Sequence, residues 1–214
     1  MSSIAKSAAR TRLFATSGGL EPPIDVTTRK FASRLDSIKP SSFAFAFRHY
    51  PEDTHGLTPA PSLVDGLRFV FEPVTLTRAP INALRPGADS AAVVSAVIAT
   101  EEAYAHGARA LGLPERLPES VVNNFGYTVL QGLKLPNVAV WVFQRNVASY
   151  PDSPNVYDSL GDALLAKGDT SAAKAQFHRS KDVATRTGQA VAAETLKKLE
   201  ALESVTQAGS AKKK

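Results

Sequence analysis

The densest chemistry in this 214-residue chain lies in Arg48-His49-Tyr50-Pro51-Glu52-Asp53-Thr54-His55-Gly56-Leu57-Thr58 and the following Ser62-Leu63-Val64-Asp65-Gly66-Leu67-Arg68-Phe69-Val70-Phe71. A strand ends, a short acidic loop presents His55, and a glycine-containing helix returns toward the sheet. Histidine ordinarily titrates near neutrality, which is what a general base requires. Loops at the carboxyl ends of strands are where doubly wound sheets collect functional groups. Glu52 and Asp53 flank His55, but no second histidine converges on them, so neither a metal nor another cofactor is expected. His49, beside Tyr50, reads as structural. His106 and His178 sit on helices at no ligand spacing and read as solvated or capping side chains. The chain has no cysteine, which excludes disulfides, thiolate metal sites and a cysteine nucleophile.

The elements that must position His55 follow from pattern. Arg12-Leu13-Phe14-Ala15-Thr16-Ser17, stopped by Gly18-Gly19, predicts a buried strand ending in a turn. Pro22-Pro23 predicts an extended loop, followed by a helix capped by Thr27 or Thr28 that buries Phe31, Leu35 and Ile38 and stops at Pro40. Phe43, Phe45 and Phe47 alternate with small residues, as in a strand covered on both faces of a parallel sheet; they read as core, not as a base-stacking platform. In the next helix Leu63, Leu67, Val70 and Phe71 are expected inward, with Asp65 and Arg68 pointing away. Strand, helix, strand, helix is the order of an α/β sheet.

Beyond a Pro80- and Pro86-containing linker the chain reads as helix. Ser90–Leu113 is Ala-rich, and two helix pairs follow. Gly126 and Gly161 are 35 residues apart, whereas Ala139 and Ala173, and Phe143 and Phe177, are 34 apart. That spacing predicts a 34-residue helix–turn–helix repeat with one extra residue in the first turn. Small Gly and Ala let paired helices approach, and the Phe fills the groove between them. Tyr150-Pro151 stops the first repeat, while Thr185 at the equivalent position predicts a last helix that runs on, with Leu196, Leu199 and Leu202 forming a terminal cap. Trp141, Phe143 and Tyr157 read as packing, with a peptide-binding groove as the alternative.

The segment YPEDTHG…SLVDGLRFVF resembles the C-terminal end of the trilactone-siderophore-esterase branch of the α/β-hydrolases. The resemblance implies that His55 is the catalytic histidine. It matches Gly18-Gly19-Leu20-Glu21 to the family's acid turn, which makes Glu21 the candidate triad acid and Asp25 the second candidate. VVNNFGY and RNVASYPDSPNVYDSLGDALLAKGD are similar to the tetratricopeptide appendage of some of these hydrolases, and the two resemblances together cover about residues 11–185. The chain departs from the family in one decisive way. It contains no G-x-S-x-G elbow, and Ser17 lies at the acid's end of the motif without a strand–elbow–helix unit around it. The resemblance therefore implies that nucleophile and oxyanion donors lie outside this chain, and that an ester is a substrate only together with them. Alone, the chain is expected to be inactive.

The expected architecture is an α/β remnant over 1–80, the last strands and helices of an α/β-hydrolase sheet, then an all-α helical-repeat domain over 81–207 and a disordered basic tail over 208–214. The alternative function is a non-catalytic tetratricopeptide-type module that binds a protein or peptide. Lys212, Lys213 and Lys214 supply three of the five net positive charges, and the +2 left elsewhere argues against nucleic acid as partner. No apolar run approaches the ~18–20 residues of a membrane helix. Met1–Arg12 lacks the apolar core of a secretory signal, so a soluble protein is expected, its location unknown: either it stays in the cytoplasm, the default, or the targeting information lies outside this chain. Residues 11–75 alone are expected to be marginally stable, because helices and strands from one end of a sheet lose their cover.

Overall fold

The computed structural model describes residues 11–76 and 84–211, with side chains to residue 204. It is mostly helical, with one small parallel sheet. Contacts divide it into two compact units: residues up to Leu76 together with Ala103–Glu115, and Thr77–Glu102 together with residues from Arg116 onward. The boundary expected after residue 80 falls among residues outside those described.

In the first unit, β1 (Arg12–Gly18) and β2 (Ala44–Tyr50) pair in parallel, from Arg12 opposite Ala44 to Gly18 opposite Tyr50. Parallel neighbours require a crossover, and α1 (Pro22–Ile38) supplies it. α1 begins earlier than the sequence suggests. Pro22 and Pro23 occupy its first positions, where a missing N–H costs nothing and the fixed φ suits a helix. Thr27 and Thr28 are therefore interior and not caps; their hydroxyls donate back to the Pro23 and Ile24 carbonyls. The helix stops at Lys39, ahead of Pro40. Phe31 and Ile38, expected inward, are exposed, and only Asp25 and Ala32 are buried. Phe43 is buried, but Phe45 and Phe47 are half-buried, so β2 is not covered on both faces.

The face of α2 (Pro59–Phe71) also differs from the expectation. Gly66 lies against the Phe14 ring, the Ser62 hydroxyl donates to Thr16 at 2.8 Å, and the Phe69 ring approaches that of Phe14. Asp65 turns inward, accepting from Arg48 at 2.5 Å and from the Tyr50 hydroxyl at 2.8 Å. Leu63, Leu67 and Phe71 are exposed instead. Small Ser and Gly let α2 approach the sheet closely, and this contact outweighs the apolar stripe in fixing its rotation. Arg68 does point away. A single 3₁₀ turn, Glu72–Val74, follows. The backbone of Gly107 on α3 (Ser90–Leu111) lies where a Cβ would collide with the Pro73 carbonyl, which groups residues 103–115 with this unit.

The second unit is built from α4 (Glu119–Tyr127), α5 (Pro136–Ser149), α6 (Pro154–Lys167), α7 (Thr170–Thr187) and α8 (Ala193–Ala211), with residues 90–102 of α3. Its core contains Val93, Ala139, Phe143, Ala163, Ala173 and Phe177. A Cβ on Gly126 would lie 2.3 Å from the Phe143 ring, and one on Gly161 2.5 Å from the Phe177 ring. The same contact thus recurs in both helix pairs. The extra residue of the first pair is absorbed by a π-helical turn, Thr128–Gly132, in which Leu133 N–H reaches the Thr128 carbonyl. One inserted residue in a helix has this consequence, since it widens one turn from i→i+4 to i→i+5.

α5 ends at Ser149, before Tyr150-Pro151. α7 extends to Thr187 and is then stopped by Gly188 in the left-handed region, φ 69°, so the run-on helix divides into α7 and a separate α8. Leu199 is buried and Leu202 half-buried against the core, but Leu196 is exposed. The fully buried polar group of α8 is Thr195, which donates to Asp158, and the partly buried Lys198 bridges Asp158 at 3.1 Å and Asp162 at 2.7 Å. The tail expected from 208 is helical as far as Ala211, and residues 212–214 lie outside those described. No described helix is long and apolar enough to cross a membrane.

Candidate functional site

The carboxyl ends of β1 and β2 carry the two candidate loops. Gly18 and Gly19 end β1 against the backbone of the second loop: Cβ atoms there would lie 2.4 Å from the Asp53 and Pro51 carbonyl oxygens respectively. The absence of those atoms lets Gly19 N–H donate to Tyr50 O at 2.8 Å and Leu20 N–H to Asp53 O at 3.1 Å. Glu21 stands next, immediately before α1, and its carbonyl accepts from the Ile24 and Asp25 amides.

Glu21 and His55, 34 residues apart in the chain, meet there. Glu21 Oε2 is 2.6 Å and Oε1 2.7 Å from His55 Nδ1, and the His55 amide donates to Oε2 at 3.0 Å. The His55 backbone N–H and then its imidazole hold the Glu21 carboxyl below its ordinary range, against the opposing effect of desolvation. An ionised Glu21 is an acceptor only, so it selects the tautomer of His55 that carries its proton on Nδ1. Nε2 then presents a lone pair, with no partner among the described residues. The His55 side chain is 74% exposed and that of Glu21 29%, so the pair is open to a group arriving from outside.

Asp25, the second candidate acid, does not reach His55. It is 3% exposed and accepts at Oδ1 from the Ser17 hydroxyl at 2.6 Å, with His49 Nδ1 3.0 Å away and Arg29 2.8 Å from Oδ2. His49 Nδ1 is also 3.3 Å from Ser17 Oγ. The Ser17 hydroxyl and, less strongly, Arg29 and His49 hold the Asp25 carboxyl below its ordinary value. Ser17, 5% exposed and donating to a carboxylate, is not an activated nucleophile. The sequence reading of His49 as structural did not anticipate this cluster. A signal existed: Ser17 and His49 stand opposite one another in the strand register, each one residue before its strand ends.

His106 is exposed, and His178 lies 3.5 Å from Glu203 on the helical unit. Among the described residues no group of His, Cys, Asp and Glu is gathered to hold a metal ion. Glu52 and Asp53 do not join the Glu21–His55 contact; Asp53 takes part through its backbone.

The acid response follows from these carboxylates. Glu21, Asp25, Asp65 and Glu115 are the described groups with lowered values, and all belong to the first unit. A carboxyl depressed in the folded state contributes stability above its unfolded value, 4.5 for Glu and 3.8 for Asp, and loses it as pH falls through the folded value. On acidification below pH 4.5, amide resonances of residues 11–76 are expected to lose dispersion before those of residues 116–204. Earlier loss in the helical unit would contradict this.

Compared with protein-family models, curated proteins and solved structures, the chain matches none.

Proposed function

We propose that this chain is the histidine-bearing C-terminal part of a carboxylic-ester hydrolase of the α/β-hydrolase type, joined to tetratricopeptide-type helical repeats. The observation that carries the reading is the Glu21–His55 contact across the ends of two adjacent parallel strands. Acid first and histidine second is the chain order in which an α/β-hydrolase presents them. Nδ1 taken by the acid and Nε2 left open is the arrangement that a serine hydroxyl requires.

In this reading His55 Nε2 removes the proton of a serine supplied from outside the described residues as its oxygen attacks the ester carbonyl. The same proton passes from Nε2 to the leaving alcohol as the acyl-enzyme forms. Water then repeats the cycle, giving up a proton to Nε2, and the serine recovers it as the acid leaves. Glu21 keeps its own charge throughout and stabilises the imidazolium. Leu20, Phe31, Leu57, Leu63 and Leu67, all at least half exposed on the first unit, support the reading too, since such apolar surface on a small α/β unit is suited to be covered by further sheet and helices.

The test is the coding sequence immediately upstream of Met1 in the genome, joined in frame and expressed with this chain. A G-x-S-x-G elbow and turnover of a short-chain chromogenic ester are expected; a region without the elbow, or a joined protein without turnover, overturns the proposal. The second reading, a protein-binding module, is favoured by the self-contained core of the helical unit. It predicts a promoter and ribosome site directly before Met1.

A further inference from the structure

Glu21 can hold His55 only if the start of α1 is fixed relative to both strand ends. The Gly19 and Leu20 amides tie the residues before Glu21 to the end of β2 and the loop after it, and Asp25, one turn further along α1, supplies the tie from within the helix. Its buried carboxylate takes the Ser17 hydroxyl from the end of β1 and stands 3.0 Å from His49 Nδ1 at the end of β2. Arg29, one turn on, contacts the other oxygen. Three elements thus meet at one carboxylate. Ser17 donates its hydroxyl hydrogen bond to Asp25 Oδ1; a carboxylate only accepts, so His49 Nδ1, 3.0 Å from the same oxygen and 3.3 Å from Ser17 Oγ, faces it as a donor. Burial makes these bonds selective, because a carboxylate removed from water must keep its donors. Asp25 also lies in the first turn of α1, where the helix dipole favours negative charge.

We propose that Asp25 is the positioning residue of the Glu21–His55 pair: by tying α1 to Ser17 and His49, it sets the place of Glu21 and, through it, the tautomer of His55. Asp25 touches neither His55 nor any reacting atom and works through the backbone that separates it from Glu21 by a single helical turn. The same cluster explains a buried serine and a partly buried histidine that the hydrolytic pair does not use. The inference takes its purpose from the ester-hydrolase reading, but its test does not require turnover.

The readout is the pair of ring ¹⁵N resonances of His55 in the 214-residue chain, which report the protonated nitrogen. The native chain, at a pH where the His55 ring is neutral, is expected to show the Nδ1-protonated form, and Glu21→Gln is expected to abolish it. Asp25→Asn, which keeps the shape and removes the charge, is expected to lose the Nδ1-protonated signature as Glu21→Gln does, with the amide spectrum still dispersed. Ser17→Ala and His49→Gln, each removing one donor, are expected to lose it in part, and they decide the matter if Asp25→Asn fails to fold. A folded Asp25→Asn with an unchanged His55 signature, or unchanged signatures in both single-donor variants, overturns the positioning role. A merely structural role would lower the melting temperature and leave the tautomer alone. Failure here leaves the hydrolase reading to its own turnover assay.

Discussion

Phe177→Ala is expected to lower the stability of the helical unit by about 3–5 kcal/mol. The ring is completely buried, abuts the backbone of Gly161, and lies 5.2 Å from the Lys198 ammonium. No other side chain can fill the space, because Gly161 has none and Ala173 carries only a methyl group. Against a typical domain stability of ~5–15 kcal/mol, the loss consumes much of what holds the unit together. Urea unfolding followed by the fluorescence of Trp141, which lies on α5 in the same unit, gives the number. Leu196→Ala, at an exposed position on α8, is the control and is expected to change stability by less than ~0.5 kcal/mol. A Phe177→Ala loss as small as the control's would show that the Gly–Phe contact does not organise the helix pair.

The second large effect concerns chemistry. In the protein joined to its nucleophile-bearing part, His55→Ala is expected to reduce kcat by about 10⁴-fold or more with little change in KM, since the imidazole acts on the transition state and not on substrate binding. Glu21→Gln keeps a hydrogen-bonding group of the same size but can select the wrong tautomer and no longer stabilises the imidazolium. Its expected loss is about 10²–10⁴-fold. Steady-state kinetics on a short-chain chromogenic ester measure both. Equal KM and kcat effects from either variant, or a silent Glu21→Gln, would remove the pair from the proposed reaction.

Several features could be read from the residues. The places of the two strands and the stop at Pro40 are local signals with direct structural counterparts, although β1 is mostly half-buried and not the buried strand expected, and the spaced Gly and Phe residues meet in two Gly–Phe contacts. Even the extra residue between the helices of the first pair was visible as a 35-residue interval, and it reappears as the π-helical turn at Thr128–Gly132. The pairing of Glu21 with His55 rests on the resemblance alone, and His55 Nδ1 and Glu21 Oε2 lie 2.6 Å apart. What escaped the sequence was set by competition between neighbours. At α1, threonines that make good caps lay behind prolines that make better first-turn residues. At α2, the stripe of large apolar residues gave way to Ser62 and Gly66, whose small size lets the helix sit close to β1. The Asp25 cluster depends on a long-range meeting of three elements, which no periodicity announces.

The most direct test of the central claim, that this chain holds the proton-handling part of an ester hydrolase without its nucleophile, is intact-mass spectrometry of the isolated 214-residue chain after exposure to a fluorophosphonate. Such a reagent phosphonylates an activated serine with loss of fluoride. The account predicts an unmodified mass, with Ser17, buried and donating its hydroxyl to Asp25, untouched. A single stoichiometric adduct on any serine, abolished by His55→Ala, would contradict it.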